Sequence, residues 1–198
     1  MKRETRVNHP KLLTVSRSDL LVDGSDALAR NVIHRLHALG RVMEQVAGGF
    51  GELNGISGVQ HQILTAVQRL QGVAGVPVVD VAEYIRRSGA FVTLESTKLV
   101  GAGYLEKLSD SADGRRVLLR VTQEGHRTLA DLAPTQRQIN DILFESFDRA
   151  KFEQLSVLLD DLLPSADHAA GMLELLNKDR KRSGGSQRSA GRTKKKAV

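Results

Sequence analysis

The sequence predicts a mainly α-helical protein with one small β-hairpin, and three observations support this prediction. Apolar residues recur every three or four positions over most of the chain, which is the spacing of amphipathic helices. Two short helical segments, 78–85 and 90–101, are separated by only a few residues. Two short strand-like segments then flank a polar stretch that contains Asp-Gly. This order predicts a helix-turn-helix followed by a hairpin wing, which is a winged helix-turn-helix.

Residues 1–24 form a basic and polar arm ahead of the first helix. The arm lacks the apolar run of a secretory signal, and no later stretch approaches 18 consecutive apolar residues. We therefore expect a protein that stays in the cytoplasm. The leucines at positions 12, 13, 20 and 21 leave two interpretations open, a flexible arm or part of a dimer interface.

Two serines precede the first two helical segments. Ser25 caps a segment whose apolar residues repeat from Leu28 to Val46, and we expect this helix to end at Gly48-Gly49. Ser57 caps a second helix, which we expect Gly72 and Gly75 to close. Its apolar positions are Val59, Ile63, Leu64, Val67 and Leu70.

The helix-turn-helix itself follows. Ser88 is available to cap the second short helix, and Gly89 can relax the turn before it. Gly101 and Gly103 suit the end of that helix. Helical spacing and the position of the turn direct seven residues outward, namely Ser88, Ala90, Thr93, Leu94, Thr97, Lys98 and Gly101.

The wing and two further helices complete the order of elements. Residues 104–108 and 116–121 read as strands, with a polar tip at 109–115. Thr122 caps a long helix that we expect to run toward Phe147 with a kink at Pro134. A last helix is predicted over 150–163, and its broad apolar stripe indicates that it packs against a partner.

Over roughly residues 25–163 the chain resembles the MarR family of bacterial transcription regulators. The residues that carry the resemblance are Val81-Ala82, Val92-Thr93, Lys98-Leu99, the run 103–107, Asp113-x-Arg115, and Val121-Thr122-Gln123-Glu124-Gly125. The chain departs from the family pattern at Leu94, where an arginine is common, and at Glu95-Ser96, where aliphatic residues are more usual.

The resemblance implies an organisation and a function. It implies a helix-turn-helix and wing at 78–122, dimerisation helices at 25–48 and 123–163, and a C-terminal extension at 164–198. It also implies a homodimer that binds a pseudo-palindromic duplex operator, represses transcription, and is released by a small, often aromatic or anionic, effector. No cofactor and no enzymatic activity are implied.

Side-chain chemistry suggests how the outward face of the second short helix would meet DNA. The hydroxyls of Thr93 and Thr97 can bond bases or phosphates, Leu94 can touch thymine methyl groups, and Lys98 can hold a phosphate or read guanine. For Thr93 the alternative is a hydroxyl bonded back to its own helix. Glu95 either pairs with Arg86 or Arg87, which we favour, or accepts from a cytosine amine.

The wing supplies the remaining predicted contacts. A guanidinium at a hairpin tip suits a narrow minor groove, so Arg115 is predicted to insert there, and by the resemblance Asp113 orients it. A solvated turn pair is the alternative. Arg116 is included as a backbone contact, and Arg116 and Arg120 could instead serve a nearby carboxylate.

Histidines and arginines on the first two helices suggest a ligand site. By the resemblance, an effector would lie between the dimer helices and the DNA-binding unit, where six residues are candidates: Arg30, His34, His37, Arg41, Phe50 and His61. The three histidines could instead share a metal ion, but no carboxylate or cysteine spacing reinforces this, and we expect no metal.

The net charge of +6 comes from the tail. Residues 178–198 hold nine Lys or Arg and one acid, so the rest of the chain has 20 basic and 22 acidic residues. The basic character is therefore not evidence of a basic DNA-binding face. The tail is predicted to be disordered, and either solubilises the protein or adds nonspecific phosphate contacts.

Other classes fit poorly. There is no cysteine, phosphate-binding glycine loop or Gly-x-Ser-x-Gly motif, and few aromatic residues for stacking on single strands. The remaining rival is a winged-helix dimer that acts as a protein-interaction module without sequence-specific DNA binding. Leu94 and the sparse charge on the second short helix favour that alternative, whereas Asp113-x-Arg115 favours DNA binding.

Overall fold

The computed structural model describes residues 12–110 and 116–192, with side chains described as far as Lys181. The described residues fall into two compact units, divided between Ile139 and Asn140. Helices account for most of the structure and a small antiparallel sheet for the rest, which confirms the predicted fold class. The elements in chain order are α1 (Ala27–Leu53), α2 (Gly58–Leu70), β1 (Val76–Pro77), α3 (Val78–Tyr84), α4 (Gly89–Gly101), β2 (Leu105–Ser109), β3 (Val117–Val121), α5 (Gln123–Leu143) and α6 (Arg149–Arg192).

The segment before α1 is anchored by one buried carboxylate. Asp26 accepts hydrogen bonds from the backbone N–H of Thr14 at 2.8 Å and from its hydroxyl at 2.7 Å. These bonds lower the pKa of Asp26, and Arg30 one turn later pairs with the same carboxylate at 2.5 Å. Residues 14–26 therefore close back onto the start of the helix. Asp26, and not Ser25, occupies the N-cap position of α1.

α1 does not end at Gly48-Gly49, so that prediction is wrong. The helix continues to Leu53, and Gly55 follows with a φ of +69°. Close packing of α2 explains the glycines: a Cβ on Gly51 would lie 2.6 Å from the carbonyl carbon of Ser57, and one on Gly58 would lie 2.7 Å from the Cα of Gly48. The glycines let two helix backbones approach each other, and the helical geometry is kept.

α2 begins with a complete capping box, as Ser57 predicted. The Ser57 hydroxyl accepts from the Gln60 backbone N–H at 3.3 Å, and the Gln60 side-chain oxygen accepts from the Ser57 N–H at 3.0 Å. Ile63, Leu64 and Val67 face inward and are fully buried. This helix supplies the centre of the core.

The sheet has the strand order β1-β3-β2, with both pairs antiparallel. In the wing, Leu105 pairs with Val121 and Lys107 with Leu119. The two-residue strand β1 pairs Val76 with Leu119, and no strand was expected at this position. The buried side chains of Val81, Val92, Leu99, Leu105 and Leu119 join those of α2 in one core cluster.

α5 is capped as predicted but is shorter than expected. The Thr122 hydroxyl accepts from the Gly125 N–H at 3.0 Å and donates to the Gly103 carbonyl at 2.6 Å. The helix runs through Pro134 and ends at Leu143, four residues before the predicted end at Phe147. In the second unit the Phe144 ring packs edge-on against Phe147 and Phe152, with centroids 5.9 and 5.0 Å apart. These contacts stabilise the turn between α5 and α6.

α6 is much longer than the predicted 150–163 helix. It begins after Asp148, whose carboxylate accepts from the Lys151 N–H at 2.8 Å, and it continues through Pro164 to Arg192. Residues 178–192, part of the segment predicted to be a disordered tail, are therefore helical, whereas 193–198 lie outside the described residues. Between Arg149 and Lys181 no side chain is buried, and Leu155 is half-buried.

Within the ranges that the structure describes, no helix combines the length and the apolar character needed to cross a bilayer.

Candidate nucleic-acid interface

The turn between α3 and α4 sets the start of the second short helix. Its backbone is left-handed at Arg86, with a φ of 55°, while Gly89 is the first residue of α4. The expectation that Gly89 relaxes the turn is therefore wrong, because Arg86 adopts the unusual conformation. The Ser88 hydroxyl caps α4 as predicted, accepting from the Phe91 N–H at 3.3 Å.

The two faces of α4 separate as the spacing predicted. Val92, Glu95, Ser96 and Leu99 are buried. All seven residues predicted to point outward are exposed, namely Ser88, Ala90, Thr93, Leu94, Thr97, Lys98 and Gly101. Leu94 has 57% of its surface exposed. An apolar side chain is thus presented to solvent at the middle of this face.

Both threonine hydroxyls on this face are bonded to α4 itself. Thr93 donates to the Gly89 carbonyl at 2.8 Å, and Thr97 donates to the Thr93 carbonyl at 2.7 Å. Thr97 also accepts from Lys107 Nζ at 2.9 Å, which joins β2 to α4. The helix-bonded alternative for Thr93 is the one observed, and its oxygen keeps capacity to accept a further bond.

A hydrogen-bonded network on the buried side holds α4 to α2. Glu95 accepts from Gln60 Nε2 at 2.9 Å and from Lys98 Nζ at 2.6 Å. The bond from Lys98 lowers the pKa of Glu95, burial opposes this, and the bond from Gln60 lowers the pKa further. Glu95 therefore remains a carboxylate with two partners, and the charge of Lys98 is matched within the protein.

The partner predicted for Glu95 is wrong, although its predicted structural role is right. The arginines proposed as its partners are engaged elsewhere: Arg86 donates to the Glu83 carbonyl at 2.6 Å, and Arg87 pairs with Glu44 at 3.1 Å. Gln60 could not be found from local spacing, because it lies 35 residues away in the sequence.

The wing contributes charges at its base. Arg116 lies 4.0 Å from the Asp110 carboxylate, and Arg120 pairs with Glu106 at 2.8 Å. A nearby carboxylate therefore lies within reach of each arginine, which was one of the two interpretations left open. Asp113 and Arg115, the predicted orienting and inserting residues at the tip, lie outside the described residues.

A cleft of about 290 Å³ lies where the start of α3, α4 and the base of the wing meet. We call it the wing-side cleft, and it is lined by Pro77, Val78, Val79, Thr93, Lys107, Arg116 and Val117. Thr93 and Arg116 were predicted contacts, whereas Lys107 was not. Strand alternation gave no signal for it, because it places Lys107 on the same face as Leu105, yet Leu105 is buried and Lys107 is exposed.

The six candidate effector residues do not meet in one place. Phe50 and His61 are buried with their rings 5.6 Å apart. Arg30, His34, His37 and Arg41 lie on exposed turns of α1. Burial lowers the pKa of His61, and its Nδ1 atom is buried without a hydrogen-bond partner. The structure thus places two of the six candidate effector residues, Phe50 and His61, next to each other.

Phe50 also lines a second cleft, of about 520 Å³, at the end of α1. This α1 cleft is lined by Val46, Gly49, Phe50, Glu52, Leu53, Thr135 and Ile139. Its walls are mostly apolar, and Glu52 is their one ionisable residue. The cleft is large enough for a small aromatic molecule.

Comparison with solved structures finds regulators with the same fold. The MepR–DNA complex of S. aureus is 20% identical, with 67% of this chain and 96% of MepR covered and a TM-score of 0.58. A MarR/EmrR family transcriptional regulator from Acinetobacter sp. ADP1 is 19% identical, covering 71% of this chain and 98% of its own, with a TM-score of 0.62. A MarR protein from Peptoclostridium difficile is 22% identical, covering 76% and 95%, with a TM-score of 0.58.

No family model and no curated protein sequence matches this chain. The likeness is therefore one of structure, and it agrees with the residues that suggested the resemblance. The helix-turn-helix, the three-stranded sheet and the flanking helices together identify the fold of this chain as the winged-helix fold of the MarR-type transcriptional regulators.

Proposed function

We propose that this protein is a homodimeric transcriptional regulator that binds a pseudo-palindromic duplex operator through α4 and the wing. The observation that carries the proposal is the exposed face of α4 beside the wing-side cleft. Thr93 of α4 and the cations Lys107 and Arg116 of the wing line that cleft together. A helix face with adjoining cations suits a major groove and its phosphates.

The two-fold operator follows from the dimer. Leu28, Val32, Leu36, Leu39 and Met43 form an exposed apolar stripe on α1, with 40% or more of each side chain in solvent. A stripe of this length on a single chain favours a helical partner, and a second copy would set two α4 helices about one DNA turn apart. Repression would follow if the operator overlaps a promoter.

The test of DNA binding is selection of genomic fragments by the purified protein, followed by titration of a recovered duplex. We expect an inverted repeat bound at nanomolar order, and a loss of about 1–3 kcal/mol for Arg115→Ala. Lys107→Ala and Arg116→Ala should each weaken binding and lower the salt slope by about 1. Arg149→Ala on α6, which removes the same charge from an exposed ion pair with Glu153, is the matched control.

An interaction module without specific DNA binding is the second candidate. It is favoured by the exposure of Leu94 and by the internal pairing of Lys98 with Glu95, which leave the face of α4 poor in free charge. Recovery of no specific duplex, or binding that ignores Arg115, Lys107 and Arg116 and disappears when the chain is truncated after Asn177, would favour this candidate.

We also propose that a small effector releases the operator by preferring the conformation that does not bind DNA. The α1 cleft supports an aromatic molecule, while the exposed Arg41, His34 and His37, together with Arg30 that also pairs with Asp26, support an acid. Benzoate is a suitable first probe. Its affinity should fall in Phe50→Ala if the cleft holds the ring, and in Arg30→Ala and His37→Ala if the exposed set holds the carboxylate. Unchanged affinity in all three variants would refute both arrangements.

A further inference from the structure

α6 carries an apolar stripe that continues without interruption past the predicted end of the helix. We define the α6 stripe by eight residues whose spacing alternates strictly between three and four: Phe152, Leu155, Leu159, Leu162, Ala166, Ala169, Leu173 and Leu176. Phe152 is 49% exposed, and Leu173 and Leu176 are 60% and 59% exposed. At 1.5 Å per residue the stripe is about 37 Å long.

The charges of this helix are separated from the stripe. Between residues 152 and 177 there are five acids and no lysine or arginine. The stripe follows a seven-residue repeat whose first residues are Phe152, Leu159, Ala166 and Leu173. Each of the five acids lies one or two positions after one of these residues, which places the acids on the back of the helix. They are Glu153, Asp160, Asp161, Asp167 and Glu174. The positions that flank the stripe hold only apolar or small polar residues, among them Leu158, Leu163, Ala170 and Met172.

An unbroken seven-residue repeat is the pattern by which one helix packs along another. The acidic back face argues against a membrane surface, since helices that lie on membranes carry basic residues there. Ala166 and Ala169 have short side chains, so a neighbouring helix can approach closely at the middle of the stripe. These features select a helix as the partner.

We propose that the partner is α6 of a second copy of this chain, paired along the whole α6 stripe from Phe152 to Leu176. The inference rests on the homodimer of the proposed function and extends it. The part of the α6 stripe before Leu163 and the part after it follow the same seven-residue repeat and lie on the same face of α6. A partner helix that packs along the first part is therefore also aligned with the second part. Two copies that meet along this face keep their acidic faces apart and in solvent.

The solved structures described above are covered over 95–98% of their own length and cover 67–76% of this chain, so part of this chain has no counterpart in them. Pairing after Leu163 would add contact area to that of a dimer whose α6 helices meet only before Leu163.

Because the chain has no cysteine, a single introduced thiol reports the pairing directly. Full-length Leu173→Cys places a thiol on the stripe, and the adjacent Glu174→Cys places one on the back face. A disulfide requires Cβ atoms about 3.5–4.5 Å apart. After mild oxidation we expect at least about ten times more cross-linked dimer for Leu173→Cys than for Glu174→Cys if the helices run parallel.

An antiparallel pair would bring residue 155 of one copy beside residue 173 of the other. An equimolar mixture of Leu155→Cys and Leu173→Cys proteins should then cross-link at least about tenfold more than either does alone. Either pattern supports the proposal. Circular dichroism of the reduced variants establishes that each is folded before oxidation.

Light scattering on the wild-type protein distinguishes a failure of the α6 pairing from a failure of the homodimer. If the wild type is a dimer and no stripe thiol cross-links above the Glu174→Cys control, the stripe faces another element or another protein, and the α6 pairing is overturned while the homodimer stands. If the wild type is a monomer at micromolar concentration, the homodimer and the α6 pairing both fail.

Discussion

The helix-turn-helix region and α6 are both rich in leucine and valine, but they cover these side chains differently. In the first region Leu64, Val92, Leu99 and Leu119 have at most 1% of their surface exposed, and they come from helices and strands distributed over some 60 residues. In α6 the leucines lie on one helix, and all of them are exposed except Leu155, which is half-buried. The comparison teaches that one region completes its core within a single chain, whereas the other has an apolar face that a partner would cover.

Core truncation should give the largest difference between the two regions. Leu64→Ala removes a fully buried side chain from α2, and we expect a loss of about 2–5 kcal/mol in the free energy of unfolding. The loss should be the same at low and high protein concentration, as urea unfolding would measure. Leu159→Ala on α6 is the comparison variant, and its effect should depend on protein concentration. A concentration-independent effect at Leu159 would mean that α6 is covered within its own chain.

Substitution of one glycine in each region should give the next largest difference in stability between the two regions. A Cβ on Gly125 would overlap the Tyr104 carbonyl oxygen and approach Val121 Cγ1 to 2.7 Å, so Gly125→Ala should destabilise the protein by about 1–3 kcal/mol.

Gly171 on α6 has no atom within 4 Å of the position of a Cβ. Gly171→Ala should therefore stabilise the helix by about 0.5–1 kcal/mol, because alanine has the higher helix propensity. Thermal unfolding of the two variants measures opposite shifts. Equal shifts in the same direction would contradict the difference in packing.

The burial of His61 in the first region predicts that the stability of the folded state depends on pH. Burial lowers the pKa of His61 below its ordinary value of 6.5, so the unfolded chain takes up a proton at a higher pH than the folded one. The stability of the folded state is therefore retained above about pH 6.5 and falls as the pH decreases below it. Urea unfolding at pH 7.5 and 5.5 should show this loss, and His61→Phe should reduce it. A wild-type pH dependence in the variant would assign the loss to other groups.

The smallest predicted effect concerns the charge of Lys98. Glu95→Gln can keep a hydrogen bond with Gln60 but removes the negative charge that pairs with Lys98. On the proposed operator we expect tighter binding by a few-fold and a salt slope larger by about 1, because the released ammonium is free to meet a phosphate. Glu153→Gln makes the same charge change on α6 and should alter neither quantity. An unchanged slope in Glu95→Gln would mean that Lys98 does not face DNA.

Local chemistry predicted much of the first unit. Hydroxyl caps at Ser57, Ser88 and Thr122 are short-range features, and each lies at the start of a helix as expected. The outward and inward faces of α4 followed from 3.6-residue spacing alone. The wing followed from two short strands around a polar tip.

The errors at helix ends have a physical reason as well. Gly48, Gly49 and Pro164 are breakers in isolation, yet α1 and α6 continue through them. At Gly51 and Gly58 the contact of two backbones requires the absence of a Cβ. At Pro164 a proline costs one backbone hydrogen bond, and the helix-forming residues that follow, such as Ala169, Leu173 and Leu176, continue the helix beyond it.

The sequence by itself therefore determined the order of the helices and wing, the caps at Ser57, Ser88 and Thr122, and which face of α4 is exposed, because these depend on residues within a few positions of one another. Only the tertiary structure decided that Gln60 and Lys98 hold Glu95, that β1 pairs with β3, and that His61 is buried against Phe50. Most of these contacts join residues 11 to 43 positions apart, and their partners are selected by the packing of whole helices and strands, which local spacing does not encode.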